Sequence, residues 1–141
     1  MRDIKFRGKR IDGKGWVYGY LVENENDIYR AFIVTSARWD IDENGCTDLL
    51  ETELYEVIPE TIGQYTGLHD KNDKKIYEGD ISKVKGFNYP QKVVFEDKSC
   101  CFSIISSESD DVYYGIYEDK GKRPCEIIGN IYDNPELLRE E

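Results

Sequence analysis

The sequence predicts a mainly β protein: a curled sheet, read as a small SH3-like barrel, with an N-terminal β-hairpin lobe before it and a short C-terminal helix after it. Three observations predict this. Apolar residues alternate with polar ones at period two in stretch after stretch, the pattern of half-buried strands, and helical periodicity is almost absent. Gly, Asn and Asp punctuate those stretches at short intervals, as in sheets that turn back on themselves. Eleven tyrosines against one methionine, with aromatics at 13%, suit strands whose rings cover apolar surface while their hydroxyls stay wet.

"IKFRGKRI" alternates Ile4, Phe6 and, past a glycine, Ile11. "DGKG" at 12–15 is a hairpin turn, because Gly tolerates φ > 0. "WVYGYLV" returns as the partner strand and "DIYRAFIVTS" is a third. "RWDIDENGCTDLLET" is a polar excursion turning at Asn44-Gly45, and "TDLLETELYE" within 47–56 also admits a helix started from a Thr or Asp cap. "LYEVIPETIGQYTGL" reads as strand, kink at Pro59, and strand again. "HDKNDKK" is a turn whose Asp and Asn side chains bond local backbone. "KIYEGDISKVKG" is a strand interrupted at Gly79; if that glycine sits at φ > 0, Gly79→Ala costs about 1 kcal/mol or more. "QKVVFED" and "CCFSIIS" form a hairpin, residues 107–123 are polar with aromatic anchors, and "CEIIGNIYD" is the last strand. In "NPELLREE" an Asn cap with Pro135 at the first helical position starts a short helix. Residues 1–62 form the hairpin lobe and 63–141 the barrel lobe, and 141 residues suffice for one compact unit in which the two share a core.

Three stretches in this order, "IKFRGKR…WVYGYL", "IPETIGQYTGLHDKNDKKIYEGDI" and "EIIGNIYDNPELL", resemble the YopX family of phage and prophage proteins over nearly the whole chain. The resemblance is weakest at 22–52 and 100–122. It implies a small β-rich, self-associating protein made by a phage or prophage inside a bacterial cell, and it supplies no catalytic residues. Asp73 departs from the pattern, because the family more often has Gly after "DKN", where it would make a tighter turn.

Several chemistries are excluded or weakened. Net charge is −10, whereas a duplex-DNA binder carries a basic footprint. A P-loop needs G-x-x-x-x-G-K-[ST] opening a helix, and neither "GKRPCEIIG" nor "GKGWVYG" has it. An EF-hand loop begun at Asp70 would place Lys74 and Lys75 at positions 5 and 6, where a ligand and a glycine belong. Asp70, Glu78 and Asp80 could still converge on Mg²⁺ or act as an acid–base pair across a hairpin. The plainer expectation is that Asp70 and the Gly79-Asp80 corner bond free backbone N–H groups. His69 is the only histidine, so two-His metal sites are excluded. A thiol–imidazole pair, or zinc on His69 with Cys46, Cys125 and Cys100 or Cys101, has the ligand types without the spacing, and a solvated His69 is the plainer expectation. Alternation across Cys100 and Cys101 predicts one thiol in the core and one outside.

The N-terminal hairpin interleaves cations with aromatics. Arg2, Lys5, Arg7, Lys9 and Arg10 precede Trp16, Tyr18 and Tyr20, with Lys5 and Arg7 on the face opposite Ile4 and Phe6. Lys5, Arg7, Lys9, Arg10, Trp16 and Tyr18 are therefore the candidate binding residues. Basic strand plus rings is the chemistry of a single-strand nucleic-acid platform. The same cations could pair with this protein's own acids, or with the acidic surface of a second subunit. The start, "MRDIKFRGK", lacks the apolar run of a secretory signal, no stretch is apolar over the length of a membrane span, and reduced thiols suit the cytoplasm. The expectation is a cytoplasmic, non-enzymatic protein-interaction module without cofactor or membrane partner. It would self-associate and bind a host or phage protein through exposed aromatics and a sheet edge, nucleic-acid binding being the alternative.

Overall fold

The computed structural model describes residues 1–24, 26–106, 113–116 and 124–139. The protein is mainly β, built as two antiparallel sheets, with two compact units: residues 4–64, and residues 1–3 together with 65–141.

In the first unit β1 (Phe6–Lys9), β2 (Trp16–Asn24), β3 (Asp27–Ile41) and β4 (Thr47–Val57) pair consecutively, each with the next. The β1–β2 turn takes Gly13 and Gly15 through φ 75° and 98°, as the "DGKG" signal requires. The sheet then curls until Arg10, just past β1, meets Val57 of β4 in an isolated bridge. Ile11 N–H donates to the Glu56 carbonyl at 3.2 Å and Ile58 N–H to the Lys9 carbonyl at 2.8 Å. Inside the curl lie Val17, Ala31, Ile33 and Val57, with Phe6, Leu21, Tyr55 and Ile62 packed against them. A one-turn 3-10 helix, Pro59–Thr61, carries the kink expected at Pro59 into β5 (Gly63–His69), whose start pairs with β1 at Arg7↔Gly63.

Residues 47–56 are strand rather than helix. β3 offers ten partners along its length, and that ladder overrides the helical propensity of "TDLLETELYE". The supposed polar excursion is the far end of a hairpin, turning at 42–46 with Gly45 at φ 81°.

In the second unit the rest of β5 pairs with β6 (Lys75–Tyr77). A five-stranded sheet runs β10 (Tyr113–Gly115), β9 (Cys101–Ser106), β8 (Gln91–Glu96), β7 (Asp80–Val84), β11 (Cys125–Asn130). Its core is Ile76, Val84, Val93, Ile104, Cys125 and Ile127. Among the described residues this sheet is open rather than a closed SH3-like barrel, with β10 and β11 as its edges. A turn takes the place of a closing strand. Asp70 accepts the Ile127 amide at 2.9 Å, and Lys71 N–H donates to the Cys125 carbonyl at 3.0 Å, so residues 70–71 cover the β11 edge.

The expected C-terminal helix is a single 3-10 turn, Pro135–Leu138. Asn134 makes no cap bond; its Oδ1 accepts from the Asn130 amide at 3.3 Å, so the cap is drawn back into the turn after β11. Four residues fix too few hydrogen bonds to propagate a helix. Cys100 lies in a turn at φ 50° and only Cys101 opens β9; both thiols are exposed, so neither enters the core. His69 is half-buried at the end of β5, its Nδ1 at 3.4 Å from the Tyr65 hydroxyl. The polar segment 107–123 lies outside the described residues except for 113–116. No helix among the described residues is long and apolar enough to cross a membrane.

Asp73 explains the departure noted above, for it sits at φ 62°, where glycine carries no Cβ penalty. Asp73→Gly is expected to raise stability by about 0.5 kcal/mol, strain relief outweighing the added unfolded-state entropy. A urea titration that shows a loss instead would mean that the aspartate side chain holds this turn.

Candidate interaction surface

In the acid-rich run 70–80, Asp70 and Asp80 hold backbone amides and Glu78 is half-buried. Asp70 is buried; its Oδ1 accepts the amides of Asn72 at 2.8 Å and Lys74 at 2.9 Å, and Oδ2 accepts Ile127. Burial opposes its ionisation, but those three N–H groups and the Lys74 charge outweigh it and hold the carboxyl below its ordinary range. Asp80 is buried too and accepts the Tyr77 amide at 2.8 Å. Gly79, at φ 87°, pins the corner by donating to Val93 and accepting from Ile131, both at 2.9 Å. Among the described residues no three His, Cys, Asp or Glu side chains are grouped to hold a metal ion.

The basic-aromatic hairpin is assembled in register, with Arg7 opposite Tyr18 and Lys9 opposite Trp16 on one face of the sheet. Its cations are largely engaged. Arg7 is buried with its guanidinium 4.9 Å from the Trp16 ring centroid. Arg10 lies over Tyr55 at 4.2 Å and is paired with Asp12. Lys5, Lys9 and Trp16 are half-buried, and Tyr18 is exposed.

That face continues into an apolar one. Beyond Tyr18, the row Tyr20–Val34–Leu54 crosses three strands, with Val22 opposite Phe32 in the row beside it. At Thr35 the register shifts by one residue, and Ala37 pairs with Thr52 on the same face. A second shift at Leu50 sets Trp39 opposite Leu49, and Ile41 follows opposite Thr47. The result is a groove of about 760 Å³ lined by side chains that carry no charge. Trp39 is 59% exposed, Ile41 67%, Tyr20 58% and Leu49 52%, high values for large apolar side chains on one face. The reverse of the same arm is charged, with Arg38 paired to Glu51 at 3.7 Å and Asp40 opposite Asp48. At the base Arg30 closes the rim, its guanidinium bonding both Glu56 oxygens at 2.8 and 3.0 Å and lying 5.4 Å from the Phe32 ring centroid. The Arg30 bond holds the Glu56 carboxyl below its usual range.

Tyr18 and Tyr20 are legible in the sequence as part of this surface, whereas Trp39, Leu49 and Leu54 are not. The signal was present as two alternating runs of opposite parity, Phe32–Val34 and Ala37–Trp39–Ile41, joined by a bulge.

Fold and surface together define a small two-unit antiparallel β protein with a large uncharged sheet face. The chain belongs to the YopX protein family, which it matches over residues 5–139. It is similar in fold to the crystal structure of protein EF1440 from Enterococcus faecalis, at TM-score 0.63 and 22% identity, covering 99% of this chain and 100% of that one. No curated protein matches the chain.

Proposed function

We propose that this is a non-enzymatic protein-interaction module, phage- or prophage-encoded and cytoplasmic in a bacterial host, that self-associates and works by burying the outer face of β2, β3 and β4. One observation carries the reading: Trp39, Leu49, Leu54 and Tyr20 line one uncharged groove and stand about half in water. Exposed apolar patches of this kind, rimmed by polar groups, mark protein contacts. Both Asp70 oxygens and one Asp80 oxygen accept backbone amides, which supports the non-enzymatic part. The rival, single-strand nucleic-acid binding by the hairpin, is weakened because Arg7 and Arg10 already stack on Trp16 and Tyr55.

Sedimentation over a concentration series tests the reading, with a rise in mean mass expected. Titration with single-stranded DNA and RNA at low salt is expected to show no binding; a complex that dissolves as salt rises would favour the rival instead.

A further inference from the structure

We infer that the occupant of this face is the same face of a second copy, the two β3–β4 arms packed sheet on sheet about a two-fold axis. The inference rests on the interaction-module reading and specifies its partner.

The distal arm needs a cover. Residues 35–51 are exposed throughout, and the core of the first unit ends at Ile33 and Tyr55. A two-stranded ribbon without a packed face is marginal in water, so the arm's stability calls for an apolar partner. The area fits one. Tyr20, Val22, Trp39, Ile41, Leu49 and Leu54, each about half exposed, with Tyr18 beside them, offer on the order of 800 Å². A stable interface buries about 800 Å² on each side.

Charge selects which surface of a copy can meet it. Two chains of net charge −10 repel, so their contact must avoid the acids. The reverse of the arm presents Asp40, Asp48, Glu51 and Glu53 against the single Arg38. Edge pairing of β4 with its copy would crowd Asp48, Glu51, Glu53 and Glu56 across the ladder, and the shift at Leu50 breaks the run of edge groups. The outer face bears none of Asp48, Glu51 and Glu53; its one carboxylate from this set, Glu56, is at the base and paired with Arg30, and the rest is self-complementary in chemistry, as an isologous contact requires.

The test is sedimentation equilibrium on the full chain at about 50 mM and about 500 mM NaCl, where screening lengths differ severalfold. The dimer is expected to hold or tighten as salt rises, because salt relieves repulsion while the apolar contact is uncharged. Trp39→Glu places two carboxylates in one symmetric interface and is expected to weaken dimerisation by about 100-fold or more. Trp39 is exposed and outside the core, so the variant should keep the wild-type circular dichroism and a cooperative melt, at a lower temperature because the dimer contact no longer contributes. An oligomer that survives Trp39→Glu, or one that dissociates as salt rises, overturns the face-to-face packing while leaving self-association standing. A chain that is monomeric at every concentration overturns both and leaves the face to a different protein.

Discussion

Gly19→Ala is expected to destabilise the first unit by about 3 kcal/mol or more, the upper range for overpacking a tight contact. A Cβ at position 19 would stand 2.0 Å from the Val34 carbonyl oxygen, 2.9 Å from its carbon and 3.2 Å from the Ile33 side chain. The obstacle is backbone of the paired strand, so no rotamer change relieves it. β2 and β3 would have to separate where Tyr20 meets Val34, in the first row of the uncharged face. Gly8 provides an internal comparison. Its Cβ would meet Val57 Cβ, Cγ2 and Cγ1 at 2.8 to 2.9 Å; that Cβ moves only with its own strand, but no atom stands as close as the 2.0 Å at Gly19. Gly8→Ala is therefore expected to cost somewhat less than Gly19→Ala, about 1–3 kcal/mol. Urea unfolding followed by tryptophan emission reads both variants, since Trp16 and Trp39 both lie in this unit. A Gly19→Ala chain as stable as the wild type would mean that β2 and β3 are spaced more widely at this point.

The strands that flank the first core were legible because each keeps one parity: Val17, Gly19 and Leu21 turn inward, Tyr18, Tyr20 and Val22 outward. The β3–β4 arm was not, because a bulge changes parity without changing composition. Phe32 and Val34 are even, Ala37, Trp39 and Ile41 are odd, and the break at Thr35 makes a continuous stripe look like an irregular polar excursion. The same holds on β4, where Leu54 and Thr52 give way to Leu49 across Leu50. The basic hairpin shows the opposite failure. Its residue types were plain, but sequence carries no burial, and burial is what commits Arg7 to Trp16. At 70–80 turn chemistry was readable from Asp70, Asn72 and Gly79, whereas the reach of Asp70 to Ile127 crosses 57 positions and has no local signature. The open second sheet follows from that reach: once residues 70–71 cover β11, closure by another strand is unnecessary.

Asp70→Ala is accordingly expected to cost about 3 kcal/mol or more, since hydrogen bonds to a charged acceptor contribute about 1.5–3 kcal/mol each and are not additive. The substitution strands the amides of Asn72, Lys74 and Ile127 together, the last of them buried in the sheet. Asp70→Asn keeps the size but turns one of the two oxygens into a donor, so it should lose about half as much. The pH dependence separates this account from a loss of packing. The folded carboxyl lies below its ordinary value of 3.8, so near and below that pH the unfolded chain binds the extra proton and folding stability rises with pH. The contribution is complete above the unfolded value and is lost as pH falls through the folded one. The stability gap between wild type and Asp70→Asn should therefore stay constant at about pH 5 to 7 and narrow as the pH drops below about 4. Urea midpoints measured in parallel would show it, and a gap that stays constant into acid would mean that shape rather than charge makes Asp70 necessary.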